Sequence, residues 1–204
     1  MKNILENDSN LTLNYYNQNA QSFVDSTQKV EFFTKQEQFL KYLPEKAHIL
    51  DFGCGSGRDS KAFLDRGYQV TAIDGSEELC KFASEFIGQP VKQMLFQELN
   101  EREQYDGIWA CSSILHLERQ QLHNVLLLIH NALKQGGYLY TSFKYGDWEG
   151  FRNGRYFNDM TETVFTDFIR DIPQMQVVEY SITKDVRPGR AEEKWLNVIL
   201  KKSI

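Results

Sequence analysis

The run Ile49-Leu50-Asp51-Phe52-Gly53-Cys54-Gly55-Ser56-Gly57 decides how the rest of this chain is read. Apolar strand-forming residues lead straight into three alternate glycines, and a helical pattern follows over Asp59–Arg66 until Gly67 stops it. Glycines at such a corner let the backbone turn sharply and approach a ligand closely. The helix start beyond them offers unpaired N–H groups to whatever lies in the crevice. The next strand, Gln69–Ile73, closes on Asp74, and an acid in that place accepts hydrogen bonds from ribose hydroxyls.

Outward from this corner the pattern alternates. Ser76 caps a helix with Leu79, Phe82, Ala83 and Phe86 on one face and Glu77 and Glu78 in its first turn. Val91–Phe96 reads as a third strand and Tyr105–Cys111 as a fourth. Glu118–Lys134 carries a stripe of Leu122, Val125, Leu126, Ile129 and Leu133, ends at Gly136-Gly137, and gives way to a fifth strand, Tyr138–Lys144. Strands alternating with helices predict an α/β, doubly wound, mostly parallel seven-stranded sheet with helices on both faces and an antiparallel last strand. Beyond Lys144 the rhythm changes: a polar loop over Tyr145–Asp159, a helix over Thr161–Ile172, then strands Gln176–Thr183 and Lys194–Lys201 around a turn at Arg187-Pro188-Gly189-Arg190. Upstream, residues 1–14 read as frayed. Helices are expected over Tyr15–Asp25 and from Phe32 to Leu43, before Pro44. The chain then reads as one domain over 1–204: a helical lid (1–44), a core (45–144) and an acceptor-side tail (145–204).

The 204 residues, 41% of them hydrophobic, can fill one real core and exclude a wholly disordered chain. Twenty-eight acidic against 23 basic residues give a net charge of −5, which argues against a generic nucleic-acid binder. No apolar run approaches a membrane span of roughly 20 residues, and the start has no signal-peptide h-region. Cys54, Cys80 and Cys111 are too few and scattered for a disulfide framework, so a cytoplasmic location is expected.

The glycine loop alone suits both nicotinamide and S-adenosylmethionine (SAM) folds. Three details separate them. Arg58 stands where a dinucleotide fingerprint wants its last glycine. Asp51, at the mouth of the first strand, can face the amino group of a methionine moiety. The loop follows helical material instead of opening the chain. The segment Leu50–Gly57 resembles the first motif of class I SAM-dependent methyltransferases. Ala132-Leu133-Lys134-Gln135-Gly136-Gly137 is similar to the element before their fifth strand, and Tyr16-Asn17-x-x-Ala20-x-x-Phe23 resembles their N-terminal lid helix. Within the class the chain looks nearest to small bacterial enzymes of the tellurite-resistance type.

The resemblance implies that Gly53, Cys54, Gly55 and Gly57 surround the methionine and ribose of SAM. Asp74 would hold the ribose diol, with Gly75 and Ser76 along the adenine edge. Phe96 and Gln97 would border the adenine, Cys111 and Ser112 would lie near the methyl group, and Tyr16 would close over the carboxylate. Each has a plainer reading as well: Asp51 as a turn cap, Phe96 as core, Tyr16 as lid packing, Cys54 as a small filler and Arg58 as a solvated helix residue.

His116, beyond the fourth strand, could deprotonate an acceptor or support its loop; His48, His123 and His130 read as structural. Arg152, Arg155, Arg187 and Arg190, with Lys144, could clamp an acidic acceptor or pair with Glu149, Asp159, Glu192 and Glu193. The place after the fourth strand reads Cys111-Ser112-Ser113-Ile114, without the Pro-Pro-aromatic segment or Pro-Cys pair of nucleic-acid methylation, and no carboxylate trio suggests a metal. The expectation is methyl transfer from SAM, by in-line displacement, to a small anionic acceptor. The rivals are a non-catalytic SAM-binding or interaction protein and a nicotinamide oxidoreductase, for which no convincing Tyr-x-x-x-Lys is found.

Overall fold

A computed structural model describes residues 11–172, 174–187 and 189–203. Its centre is a seven-stranded sheet in the order β3-β2-β1-β4-β5-β9-β8, with a separate two-stranded sheet of β6 (Glu149–Arg152) and β7 (Arg155–Asn158). Strands β1 (His48–Phe52), β2 (Gln69–Asp74), β3 (Lys92–Gln93), β4 (Tyr105–Ala110) and β5 (Leu133–Lys144) run parallel. β9 (Lys194–Lys202) is antiparallel to both β5 and β8 (Met175–Lys184).

Burial on both faces explains why the β1 and β4 segments are almost continuously apolar. On one face Leu50, Phe52, Ile108 and Leu139 pack against Leu122, Val125 and Ile129 of α6 (Arg119–Ala132) and Phe165 of α7 (Glu162–Ile169). On the other, Ile49, Trp109 and Tyr140 meet Phe39 of α3 (Phe33–Leu40) and Phe63 of α4 (Arg58–Asp65). Trp109 stacks on Tyr140 with ring centroids 3.9 Å apart. The sheet order reverses at β1, between β2 and β4, which opens a crevice at the carboxyl ends of those strands.

Four local expectations are corrected. The strand expected over Val91–Phe96 shrinks to Lys92–Gln93. Met94 N–H makes the last bond, to the Asp74 carbonyl, and Glu98 then accepts from Leu95 N–H and draws Phe96–Glu98 into a 3₁₀ turn. β5 begins at Leu133, before the two glycines, and its register against β4 shifts after Leu133. The loop expected over Tyr145–Asp159 contains a hairpin, β6 (Glu149–Arg152) and β7 (Arg155–Asn158). Its turn is Asn153-Gly154, both at positive φ (53° and 76°), the two-residue corner whose twist suits antiparallel strands. The N-terminal helix starts earlier and is divided: residues 11–18 (α1) and Ala20–Thr27 (α2) meet at Asn19. Residues 1–10 of the expected frayed end, and Pro188 of the expected turn, lie outside the described residues.

Candidate active site

A cavity of about 590 Å³ occupies the crevice. Its floor is the glycine corner. Gly53, Gly55 and Gly57 all have positive φ (88°, 56° and 79°), which L side chains adopt at a cost. A Cβ on Gly53 would stand 2.5 Å from Ser113 Cβ and 3.1 Å from Phe96, and one on Gly55 would stand 3.0 Å from Phe23. Gly57 serves packing instead: a Cβ there would meet Ile87 and Ala83 of α5 (Glu77–Ile87), and it is not in the cavity wall.

Asp74 closes β2 and lines the cavity. Its Oδ2 accepts from Gly55 N–H and its Oδ1 from Ser76 N–H, both at 2.9 Å. Burial raises its pKa, opposed by these backbone donors. Each carboxylate oxygen has further acceptor capacity. Two fixed acceptors beside a glycine floor suit a vicinal diol whose hydroxyls donate, so this acceptor pair fits the ribose of SAM. Gly75 also lines the wall, and a Cβ there would collide with Leu13 at 2.7 Å. Phe96 and Gln97 border the same end, with Phe96 packed 4.7 Å from Phe52.

Two expected residues sit behind the floor. Ser76 is fully buried; it caps α5 by accepting from Leu79 N–H and donates to Asn17 of the lid at 2.6 Å. Asp51 is 2% exposed and outside the cavity wall, and it accepts from Ser60 at 2.6 Å. Burial, then repulsion from Asp59, pushes its pKa up to about 8, so near neutral pH much of it is an uncharged acid.

The N-terminal helices, expected from sequence to be a lid, form the roof. Thr12, Leu13, Tyr16, Phe23 and Thr27 all face the cavity. Thr27 donates to Ser56 at 3.0 Å, and Tyr156 N–H donates to Thr12 at 3.1 Å. Tyr16 lies 2.8 Å from His116 Nε2, while His116 Nδ1 lies 2.6 Å from the Tyr156 carbonyl. A carbonyl only accepts, so Nδ1 carries the proton, and Nε2 accepts from the Tyr16 hydroxyl. Burial first, and the charges of Arg155 and Arg152, lower the His116 pKa to about 4. The ring is therefore neutral with both nitrogens engaged, a strut under the lid and not a free base. Cys111, also in the wall, has its thiol pushed up to about 12 by burial and by Asp59, and stays protonated. Cys54 lines the wall as a buried neutral thiol. Ser112, beside Cys111 in the wall, has φ +53°; its N–H donates to Ser142 at 2.9 Å.

The expected arginine clamp separates. Arg152 is not in the cavity wall: it pairs with the buried Asp159 and stacks on Trp148 and Phe157, each 4.6 Å away. Burial works to raise the pKa of Asp159, and Arg152 works against it. Arg187 lines the cavity, but Asp185 holds it through two side-chain bonds. Arg190 lies 3.9 Å from Glu193, which also pairs with Lys144. Arg155 lines the wall over Tyr15 at 4.5 Å, and among the described residues no carboxylate pairs with it. Arg58, read from sequence as a solvated helix residue, also lines the cavity. So do Leu13 and Trp195, for which no local motif gave a signal, and Phe23 of the lid-helix motif.

Residues 49–137 match the family model described as a methyltransferase domain. The matched segment, 89 of the 204 residues, is similar to a methyltransferase domain. The YqeM protein of Bacillus subtilis, which bears a methyltransferase name, is 33% identical to this chain over 114 residues, 50% of this chain and 46% of YqeM. The chain thus spans about half the length of the curated relative it matches. Among solved structures, the Burkholderia thailandensis 1,6-didemethyltoxoflavin-N1-methyltransferase, with bound 1,6-didemethyltoxoflavin and S-adenosylhomocysteine, superposes with a TM-score of 0.74. That match has 20% identity and covers 93% of this chain and 85% of that one. The N-methyltransferase NodS of Bradyrhizobium japonicum, in complex with S-adenosylhomocysteine, gives a TM-score of 0.68 at 16% identity, covering 91% and 97%. At these identities the likeness is one of fold. It carries the class I, SAM-dependent methyltransferase architecture and not the narrower tellurite-resistance resemblance.

Proposed function

We propose that this protein transfers a methyl group from SAM to a small anionic acceptor. The observation that carries the cofactor half is Asp74, fixed by two backbone donors at the edge of a glycine floor that has no room for side chains. The Burkholderia neighbour, whose structure holds a small molecule together with S-adenosylhomocysteine, supports a small-molecule acceptor.

Bound SAM supplies a methyl group already activated on a sulfonium, so the protein's work is placement and exclusion of water. Asp74 would hold the ribose, Gly53 and Gly55 would admit the methionine, and Leu13, Tyr16 and Phe23 would cover them. The same cavity continues past Cys111, Ser112 and Ser142 to Lys144 and Trp195, which leaves one continuous space for an in-line approach to the methyl. An anionic nucleophile needs no proton removed, which agrees with a His116 whose nitrogens are both engaged. The cavity wall carries Arg58, Lys144, Arg155, Arg187 and Arg190, and this excess of cations favours an anion despite the net charge of −5. The oxyanion would come from an ionised acid.

The nicotinamide alternative loses its best remaining signal. Tyr140 and Lys144 have the Tyr-x-x-x-Lys spacing but lie on one strand, and the Tyr140 hydroxyl is buried on Asn197 at 2.6 Å.

The test is calorimetric titration with SAM, S-adenosylhomocysteine and NADH, followed by assay of homocysteine-nucleoside release with a panel of carboxylates, phenols and amines. Micromolar binding of the first two and turnover on acids support the reading. Tight NADH binding, or SAM binding with no turnover on any acceptor, counts against it.

A further inference from the structure

Of all the cations around the cavity, Arg58 is held in the most singular way. Its Nε and Nη2 donate to the two oxygens of Asp59, at 2.9 and 2.8 Å. Asp59 is itself buried and also accepts from Gln36 at 2.7 Å and Trp109 at 2.9 Å. Burial works to raise the Asp59 pKa, but Arg58, Trp109 and Gln36 outweigh it and keep the carboxylate charged. The guanidinium lies 4.5 Å over the Phe32 ring, and the side chain keeps 20% of its surface open. Nη2 also stands 3.9 Å from Cys111 Sγ, at the end of β4.

One edge of the fork is therefore spent inward. Among the described residues, no hydrogen bond or ion pair uses Nη1, and Arg58 is in the cavity wall. The remaining cations differ. Arg187 spends its fork on Asp185, Lys144 and Arg190 share Glu193, and Arg155 lies against the lid tyrosines. Burial lowers the Lys144 pKa to about 8, so its charge is the more easily lost.

We propose that Arg58 is the acceptor-specificity residue, binding through Nη1 the oxyanion of an acceptor whose remaining body is apolar. The proposal rests on the methyltransferase reading above and names its substrate class. Phe32 supplies an apolar face directly under the guanidinium, Val30 and Trp195 line the same cavity, and Leu13 and Leu95 cluster at Gly75, next to Asp74. A guanidinium already fixed by a carboxylate and an aromatic face loses little further freedom on binding, so its planar fork is prepaid for a carboxylate.

The experiment uses the full chain saturated with S-adenosylhomocysteine and two isosteric probes, benzoate and benzamide. Wild type is expected to bind benzoate about tenfold more tightly than benzamide, or better. The double variant Arg58→Gln/Asp59→Asn removes both buried charges together, so no carboxylate is stranded; it should bind the two probes alike. Arg58→Lys, which keeps the charge but loses the fork, should retain only a small preference and guards against misfolding of the double variant. S-adenosylhomocysteine affinity should stay within about twofold throughout. The proposal is overturned by equal binding of the probes to wild type, by an undiminished preference in either variant, or by an equal fall in S-adenosylhomocysteine affinity, which would assign Arg58 to the cofactor's carboxylate. Failure of wild type to bind S-adenosylhomocysteine at all would show up in the first titration and would fell the underlying reading instead.

Discussion

The two halves of the cavity are built by different means. The half proposed to hold the nucleoside is backbone: Gly53 and Gly55 at positive φ, two N–H groups on Asp74, and an N-terminal roof whose side chains descend on positions that have none. The half proposed to take the acceptor is side chain: Arg58 on Asp59, Arg187 on Asp185, Lys144 and Arg190 on Glu193. A backbone site tolerates little change, because every added atom collides. A side-chain site can be retuned one pair at a time, which suits the role proposed for this half.

The sharpest way to break this contrast is Gly55→Val. A β-branched residue at φ +56°, with Phe23 already 3.0 Å from a Cβ, should abolish SAM binding by calorimetry while circular dichroism keeps most of the folded signal. Normal affinity would mean that the ligand lies elsewhere. Next comes Asp74→Ala, which removes the acceptors expected to hold the ribose. SAM affinity should fall by about 2–3 kcal/mol, the loss of a charged hydrogen bond; an unchanged affinity in a folded variant would remove Asp74 from the site.

Smaller effects test the acceptor half. Arg152→Ala should cost stability, about 1–2 kcal/mol in urea unfolding, because it strands the buried Asp159, and it should leave SAM affinity and acceptor KM alone. A raised KM at unchanged stability would return Arg152 to the cavity. Tyr16→Phe leaves His116 Nε2 without its donor and should weaken SAM by about 1 kcal/mol without altering the pH profile of kcat between pH 6 and 8. The appearance of a limb near pH 6.5 in wild type would show His116 to be a working base.

The last test concerns the charge behind the floor. Because the folded pKa of Asp51 is raised to about 8, the native state holds a proton that the unfolded chain releases near pH 4. Stability from this group is then full at low pH and is lost as pH rises toward 8. Asp51→Asn should gain more stability relative to wild type at pH 8 than at pH 5, read from denaturation midpoints at both values. An equal difference at the two values would show that Asp51 is ionised throughout.

The sheet, the glycine corner and Asp74 were determined by the sequence alone, because each depends on neighbours in the chain: continuous apolar runs for buried strands, alternate glycines for a tight corner, an acid at a strand end. The Asn153-Gly154 hairpin was equally local, and the signal was there to read within Arg152–Arg155. What no local pattern held was the partner of each charge. Arg152 and Arg58 look alike in sequence, yet Asp159 and two aromatic rings draw one out of the wall, while Asp59, Gln36, Trp109 and Phe32 fix the other in it. Likewise His116 became a strut only when Tyr16 came down from the lid and Tyr156 came across on the hairpin, 100 and 40 residues away in the chain. Burial and charge pairing act through space, and only the closed tertiary structure decides which side chains share it.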